Sequence, residues 1–214
     1  MTTVELHLVD AAATTADLEL LDEAELRRHE TMQHPVDRHR FAVAHAAARR
    51  IVADRLDVDP AEVRWTRGSN GKPELDGGAL RVNLSHSGDL VLVALTAERA
   101  VGVDLQQVLP TLDVAAMAAR FFPPGEASLV ARDGPERFAE LWARKEAVVK
   151  AAGDRLTRGL CLPVAGDAPP VVEHDGVPFA VRDVGAPAGF RAAVALAGAE
   201  PFTVDGQPNT PTHR

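Results

Sequence analysis

The strongest constraint on how this chain folds is an order that occurs twice: a long helical stretch, then three short apolar runs closed by turn residues. In the first set, Phe41, Ala44, Ala48, Ile51 and Val52 recur at helical spacing over residues 38–56, with arginines on the other faces. Asp59-Pro60 reads as a cap and first position of a short helix, and residues 68–73 are dense in turn formers. Strands are expected near residues 79–84, 90–95 and 101–105, forming an antiparallel meander packed on the helix. In the second set, Asp113 caps a helix running to about Phe122, and Pro123-Pro124-Gly125 stops it. Pro135 then opens a long helix that Gly153 ends, and strands follow near 170–173, 178–184 and 190–196. The run from Ala188 to Leu196 matches that from Ser87 to Leu95 in pattern. The fold class is therefore α+β, with two pseudo-symmetric halves, each a small antiparallel sheet on a long helix. The halves are placed at 1–105 and 106–200, and the tail 201–214, rich in Pro, Thr and Gly, is expected to be disordered.

A chain of 214 residues buries enough surface to fold without a metal or disulfide staple. Its one cysteine, Cys161, rules out an internal disulfide framework and a cysteine-rich zinc site, and is expected as a buried apolar filler. A net charge of −8 argues against broad nucleic-acid binding, which draws affinity from phosphate neutralisation. The opening residues lack the basic and apolar regions of a signal peptide, and no apolar run approaches a membrane span. A soluble, cytoplasmic protein is expected.

Chemistry concentrates in two frames. Asp104 lies in Gly102-Val103-Asp104-Leu105-Gln106, placed at a strand exit, and Glu146 and Lys150 lie one helical turn apart after Trp142. A glutamate–lysine pair at i, i+4 is ordinarily a solvated ion pair. Trp142, one turn earlier on the same face, points instead to a packed cleft. Two carboxylates from distant segments with a nearby ammonium suit a divalent cation holding a pyrophosphate. Asn83-Leu84-Ser85-His86-Ser87 and Gly71-Lys72-Pro73 are weaker signals, each compatible with an ordinary turn. The latter lacks the glycine spacing of a P-loop.

Taken in order, Gly71-Lys72-Pro73, Asn83-Leu84-Ser85-His86-Ser87, Gly102-Val103-Asp104, Arg120-Phe121-Phe122, Trp142-Ala143-Arg144-Lys145-Glu146 with Lys150, and Gly159-Leu160 resemble the 4′-phosphopantetheinyl transferases. The likeness is to the larger, monomeric type serving nonribosomal peptide and polyketide synthases, and covers about residues 25–196. It implies Mg²⁺-dependent transfer of phosphopantetheine from coenzyme A to a carrier-protein serine, releasing adenosine 3′,5′-bisphosphate. Mn²⁺ is an equivalent choice of ion on ligand chemistry alone. By that resemblance Asp104 and Glu146 are metal ligands and Lys150 a phosphate contact. Lys72, Ser85 and His86 hold coenzyme A, and Arg40, with Arg38 and Arg28, faces its 3′-phosphate. Gln106 stands where many members carry a second acid, and Ala44-His45 where the helix often carries Gly-Arg. The carrier is expected beside Phe121 and Phe122, at least one of which is core, on a patch of Arg120, Arg132, Arg137 and Arg144. Two rival readings use the same residues: a Mg²⁺-dependent hydrolase of coenzyme A or a nucleotide pyrophosphate, and an inactive coenzyme A-binding interaction protein.

Overall fold

The computed structural model describes residues 1–68, 70–166 and 171–206. Strand β1 (Thr3–Asp10) leads to helices α1 (Glu23–Thr31) and α2 (Pro35–Leu56), and then to strands β2 (Trp65–Arg67) and β3 (Pro73–Leu75). Strands β4 (Arg81–Ser87), β5 (Leu90–Thr96) and β6 (Val101–Gln107) precede helices α3 (Val114–Phe121), α4 (Pro124–Asp133), α5 (Pro135–Ala152) and α6 (Leu156–Gly159). Strands β7 (Val171–His174), β8 (Val177–Val184), β9 (Phe190–Ala197) and β10 (Thr203–Asp205) complete the order.

The long helices obey their end signals. Pro35 and Pro135 occupy first-turn positions, where a missing N–H costs nothing. Gly153 ends α5 in the left-handed region (φ 68°), its N–H bonding Lys150 O at 3.2 Å while Asp154 N–H bonds Val149 O at 3.0 Å. Asp113 caps α3 by accepting from Ala116 N–H. Alanines 42, 44, 46, 47 and 48 are all buried in α2 because both flanks of the helix are covered. One flank meets the first sheet through Val43, Ala47 and Ile51, and the other meets Leu21, Leu26 and Met32.

Two four-stranded sheets run in the orders β10-β1-β5-β4 and β6-β9-β8-β7, all antiparallel except the β1–β10 pair. Alternate residues of β5 explain the stacking. Val91, Val93 and Leu95 pack against α2, while Leu90, Leu92 and Ala94 pack against Val101, Val103, Leu105, Val194 and Leu196 of the other sheet. The outer face of that second sheet lies on α5 through Ala193, Ala195, Leu141 and Val148. The layers are helix, sheet, sheet, helix. A strand buried on both faces reads as an unbroken apolar run, and β5 does.

Several expectations change. The three strands 79–84, 90–95 and 101–105 do not form one meander: β6 pairs with β9, so the chain changes sheet at the turn after β5. Asp104 sits mid-strand, not at a strand exit. Strand β1 and helices α1 and α4 carry no expectation from the sequence, and α4 begins at the Pro124 that was read as a stop. The segment after Pro201 is ordered as β10, with Phe202 buried; residues 207–214 lie outside the described residues. Cys161 is exposed, not a core filler. Among the described residues no helix is long and apolar enough to cross a membrane.

Candidate active site

Asp104 is 4% exposed, on the face of β6 that meets α5. Its Oδ1 accepts from Lys150 Nζ at 2.6 Å and from Ser85 Oγ at 2.7 Å. Its Oδ2 is buried without a hydrogen-bond partner. Lys150 also donates to Ser85 Oγ at 3.0 Å and to Val103 O at 3.2 Å. Glu146, one turn earlier on α5, makes no hydrogen bond or ion pair among the described residues. Burial raises its carboxyl to about 7, with Lys150 opposing and the Asp104 charge adding to the rise. Gln106 lies two residues beyond Asp104 on the same strand face, and its amide N–H donates to Gln107 O at 3.1 Å. These residues line one cavity of about 350 Å³ with Ser85, His86 and Trp142.

Gly102 brings this arrangement together. A Cβ there would lie 2.0 Å from Ala147 O and 2.3 Å from Ala151 N, so only glycine lets α5 rest directly on β6. The site therefore fits a divalent cation: an unpartnered buried carboxylate oxygen, a second carboxylate with no partner, and an amide oxygen, all hard donors in one cavity.

A larger cavity of about 550 Å³ adjoins it and shares Leu84 and Lys150. Arg28, His45, Arg67 and Lys72 bring cationic or ionisable groups to its wall, with Phe41 and Trp65 as apolar surfaces. Lys72 donates to Val101 O at 2.9 Å, and burial pulls its ammonium down to about 8. His45 Nδ1 meets Glu25 Oε1 at 2.7 Å, and Arg49 Nη2 donates to Glu25 Oε2 at 2.7 Å. Burial alone would raise the Glu25 carboxyl, but these bonds and the Asp22 N–H hold it at about 2. His86 has an exposed ring, yet partial desolvation and then Lys150, His45 and Arg40 push its pKa below the ordinary value.

Of the residues singled out from the sequence, Asp104, Glu146, Gln106, Lys150, Ser85 and His86 share the smaller cavity. Lys72 and Arg28 line the larger one. Arg40 and Arg38 line neither: Arg40 is ion-paired to Asp89 at 2.8 Å and to Asp37 at 3.7 Å. The expected arginine patch is not formed, because Arg144 is buried between Asp183 and Glu140 while Arg132 and Arg137 pair with Asp133. Only Arg120 keeps the expected setting, 5.0 Å over the exposed ring of Phe121, whereas Phe122 stacks in the core on Phe138. Sequence reasoning missed Trp65 and Arg67, and no spacing in a three-residue strand would have exposed them. It also missed Glu126, which accepts Lys145 Nζ at 2.5 Å and the backbone N–H groups of Val164 and Ala165, fixing the segment beside α5. A separate trio, Asp154, His174 and Asp175, brings three ligand atoms within 4.8 Å, but Arg158 already neutralises both acids at 3.1 and 2.6 Å.

An acid pair on a strand and a long helix thus lies beside a cation-lined cavity on an α+β scaffold. Residues 100–192, which hold β6 and α5, match the profile of the 4′-phosphopantetheinyl transferase superfamily. A Synechocystis protein with a provisional 4′-phosphopantetheinyl transferase designation is 39% identical over 66% of this chain and 60% of its own length. The Nostoc 4′-phosphopantetheinyl transferase HetI is 36% identical over 72% of this chain and 66% of its own. A Bacillus subtilis 4′-phosphopantetheinyl transferase is 31% identical over 61% of this chain and 58% of its own. The chain thus spans roughly three-fifths of the length of the curated relatives it matches. It belongs to the 4′-phosphopantetheinyl transferase superfamily.

Proposed function

We propose that this protein transfers the 4′-phosphopantetheine group of coenzyme A to a serine of an acyl or peptidyl carrier protein, releasing adenosine 3′,5′-bisphosphate. The observation that carries the reading is the buried, unpartnered Oδ2 of Asp104, in one cavity with Glu146 and Lys150 and next to a cation-lined cavity of nucleotide size. Two related halves meeting at this site belong to the same proposal, as do a monomeric state and a cytoplasmic location.

Asp104, Glu146 and Gln106 would hold a divalent ion, Mg²⁺ or Mn²⁺. Such an ion would supply positive charge against the donor's pyrophosphate. Lys72, Arg28, Arg67 and His45 orient the nucleotide end of the donor, and Lys150 neutralises charge on the transferred phosphoryl group. Ser85 holds Asp104 and Lys150 in register through one hydroxyl. Glu146, a carboxylate in the same cavity as Asp104 and Lys150, is suited to accept the serine proton directly or through a water. The serine oxygen forms the new bond to phosphorus, and the bridging oxygen departs with adenosine 3′,5′-bisphosphate. No enzyme nucleophile is required.

Incubation with coenzyme A, Mg²⁺ and a panel of apo-carriers, read by intact mass, tests this. The expected result is one phosphopantetheine added to a carrier serine by the wild type and none by Asp104→Ala. Free phosphopantetheine with no carrier mass gain would replace the transferase reading by the hydrolase one.

A further inference from the structure

Strand β6 is an edge of its sheet: it pairs with β9 on one side and presents its other edge to β4, the edge strand of the first sheet. No β-ladder joins β4 to β6. Side chains fill that edge instead. Val103 N–H donates to Asn83 Oδ1 at 2.8 Å, Leu105 N–H to Ser85 Oγ at 3.3 Å, and Gln107 N–H to Ser87 Oγ at 2.9 Å. The intervening carbonyls are taken by ammonium groups, Val101 O by Lys72 and Val103 O by Lys150. An open edge is a row of unpaired polar groups that must find partners when covered. Here every second residue of β4 supplies one, and the alternation of the pleat puts all three on one face.

The partition of the site across this seam gives the row its consequence. Asp104 and Gln106 ride on β6, and the Gly102 contact ties Glu146 and Lys150 on α5 to the same strand. Lys72, Arg67, His45 and Arg28, which line the larger cavity, all belong to the first half, and Lys150 of α5 reaches that cavity across the seam. We infer that Asn83 and Ser87 are positioning residues, whose side-chain bonds to the β6 backbone set the acid pair against the nucleotide-facing groups. Neither need touch the reacting atoms; Ser87 lines neither cavity.

The test compares Ser87→Ala, Asn83→Leu and Asn83→Asp with the wild type by amide hydrogen exchange, Mn²⁺ binding and carrier-loading kinetics. Loss of the acceptor is expected to speed exchange at Gln107 in Ser87→Ala, and at Val103 in Asn83→Leu, by about tenfold. Carrier-loading kcat falls at least about tenfold, since small misplacements of reacting groups are costly. Mn²⁺ affinity stays within about twofold, because the three ligand residues remain together on β6 and α5. Asn83→Asp, which keeps an acceptor oxygen, restores slow exchange and most of kcat. Unchanged exchange, or Mn²⁺ affinity falling in step with kcat, overturns the inference. If Asn83→Leu does not fold, the Ser87→Ala arm decides alone. The kinetic arm rests on the transferase reading, whereas the exchange arm does not. A wild type that loads no carrier therefore counts against the reading and leaves the seam to be judged by exchange.

Discussion

Two side chains give the site a pH window. Burial, with the Asp104 charge adding and Lys150 opposing, lifts the Glu146 carboxyl to about 7, so below that pH it is protonated and can neither bind a cation nor take a proton. Burial lowers the Lys72 ammonium to about 8, with Glu74 opposing and Arg81 adding, so above that pH its charge is lost and with it the proposed attraction for phosphate. The expected kcat/KM profile is a bell, rising through about 7 and falling above about 8. Raising Mg²⁺ moves the acid limb to lower pH, since a cation favours the carboxylate. Lys72→Arg removes the alkaline limb, because a guanidinium keeps its charge. A profile with unmoved limbs in both experiments would assign the titrations to other groups. The pairing of Glu146 with Lys150 was legible because i, i+4 spacing is local to one helix, whereas Asp104 and Lys72 were singled out through the resemblance of their short frames. The ion pairs that withdraw Arg40 and Arg144 were not: their partners Asp89 and Asp183 lie 49 and 39 residues away, and nothing local marks them.

At the scale of elements, the decisive contact is α5 on β6. Helix α5 was legible from Pro135 to Gly153 because end signals and periodicity are properties of adjacent residues. Its seat on β6 was not, although Gly102 stands in the sequence frame of Asp104. Adding a methyl group there drives it into the backbone of Ala147 and Ala151, which cannot rotate away. Gly102→Ala is expected to lower unfolding free energy by about 3 kcal/mol in denaturant titration, and to depress carrier loading because α5 carries Glu146 and Lys150. A neutral outcome would mean that α5 shifts freely, and the cavity geometry would then not depend on this contact.

The molecule closes on itself through its ends. β10 adds in parallel to β1, Thr3 opposite Thr203, and Phe202 fills the layer between the sheets at 5% exposure. Arg99 fastens the approach, donating to Glu200 O and Gly198 O at 2.9 Å. Phe202→Ala should cost about 3–5 kcal/mol of stability, read as a shifted denaturant midpoint. A change below about 1 kcal/mol would make the β1–β10 closure incidental. Composition had argued for disorder here because Pro, Thr and Gly dominate the stretch. A single aromatic residue with a cavity to fill outweighs that tendency.

Sequence alone determined the α+β class, the two long helices, the six strands that follow them, and the one-turn spacing of Glu146 and Lys150. Each depends on neighbours within a few residues, where dihedral preference, capping and pleat alternation operate. Tertiary structure alone decided that β6 leaves the first sheet for the second, and that Asp104 is buried mid-strand with one oxygen paired and one free. It also decided which arginines are neutralised. Those outcomes turn on which distant surfaces meet, and no local pattern encodes the energy of contacts between segments a hundred residues apart.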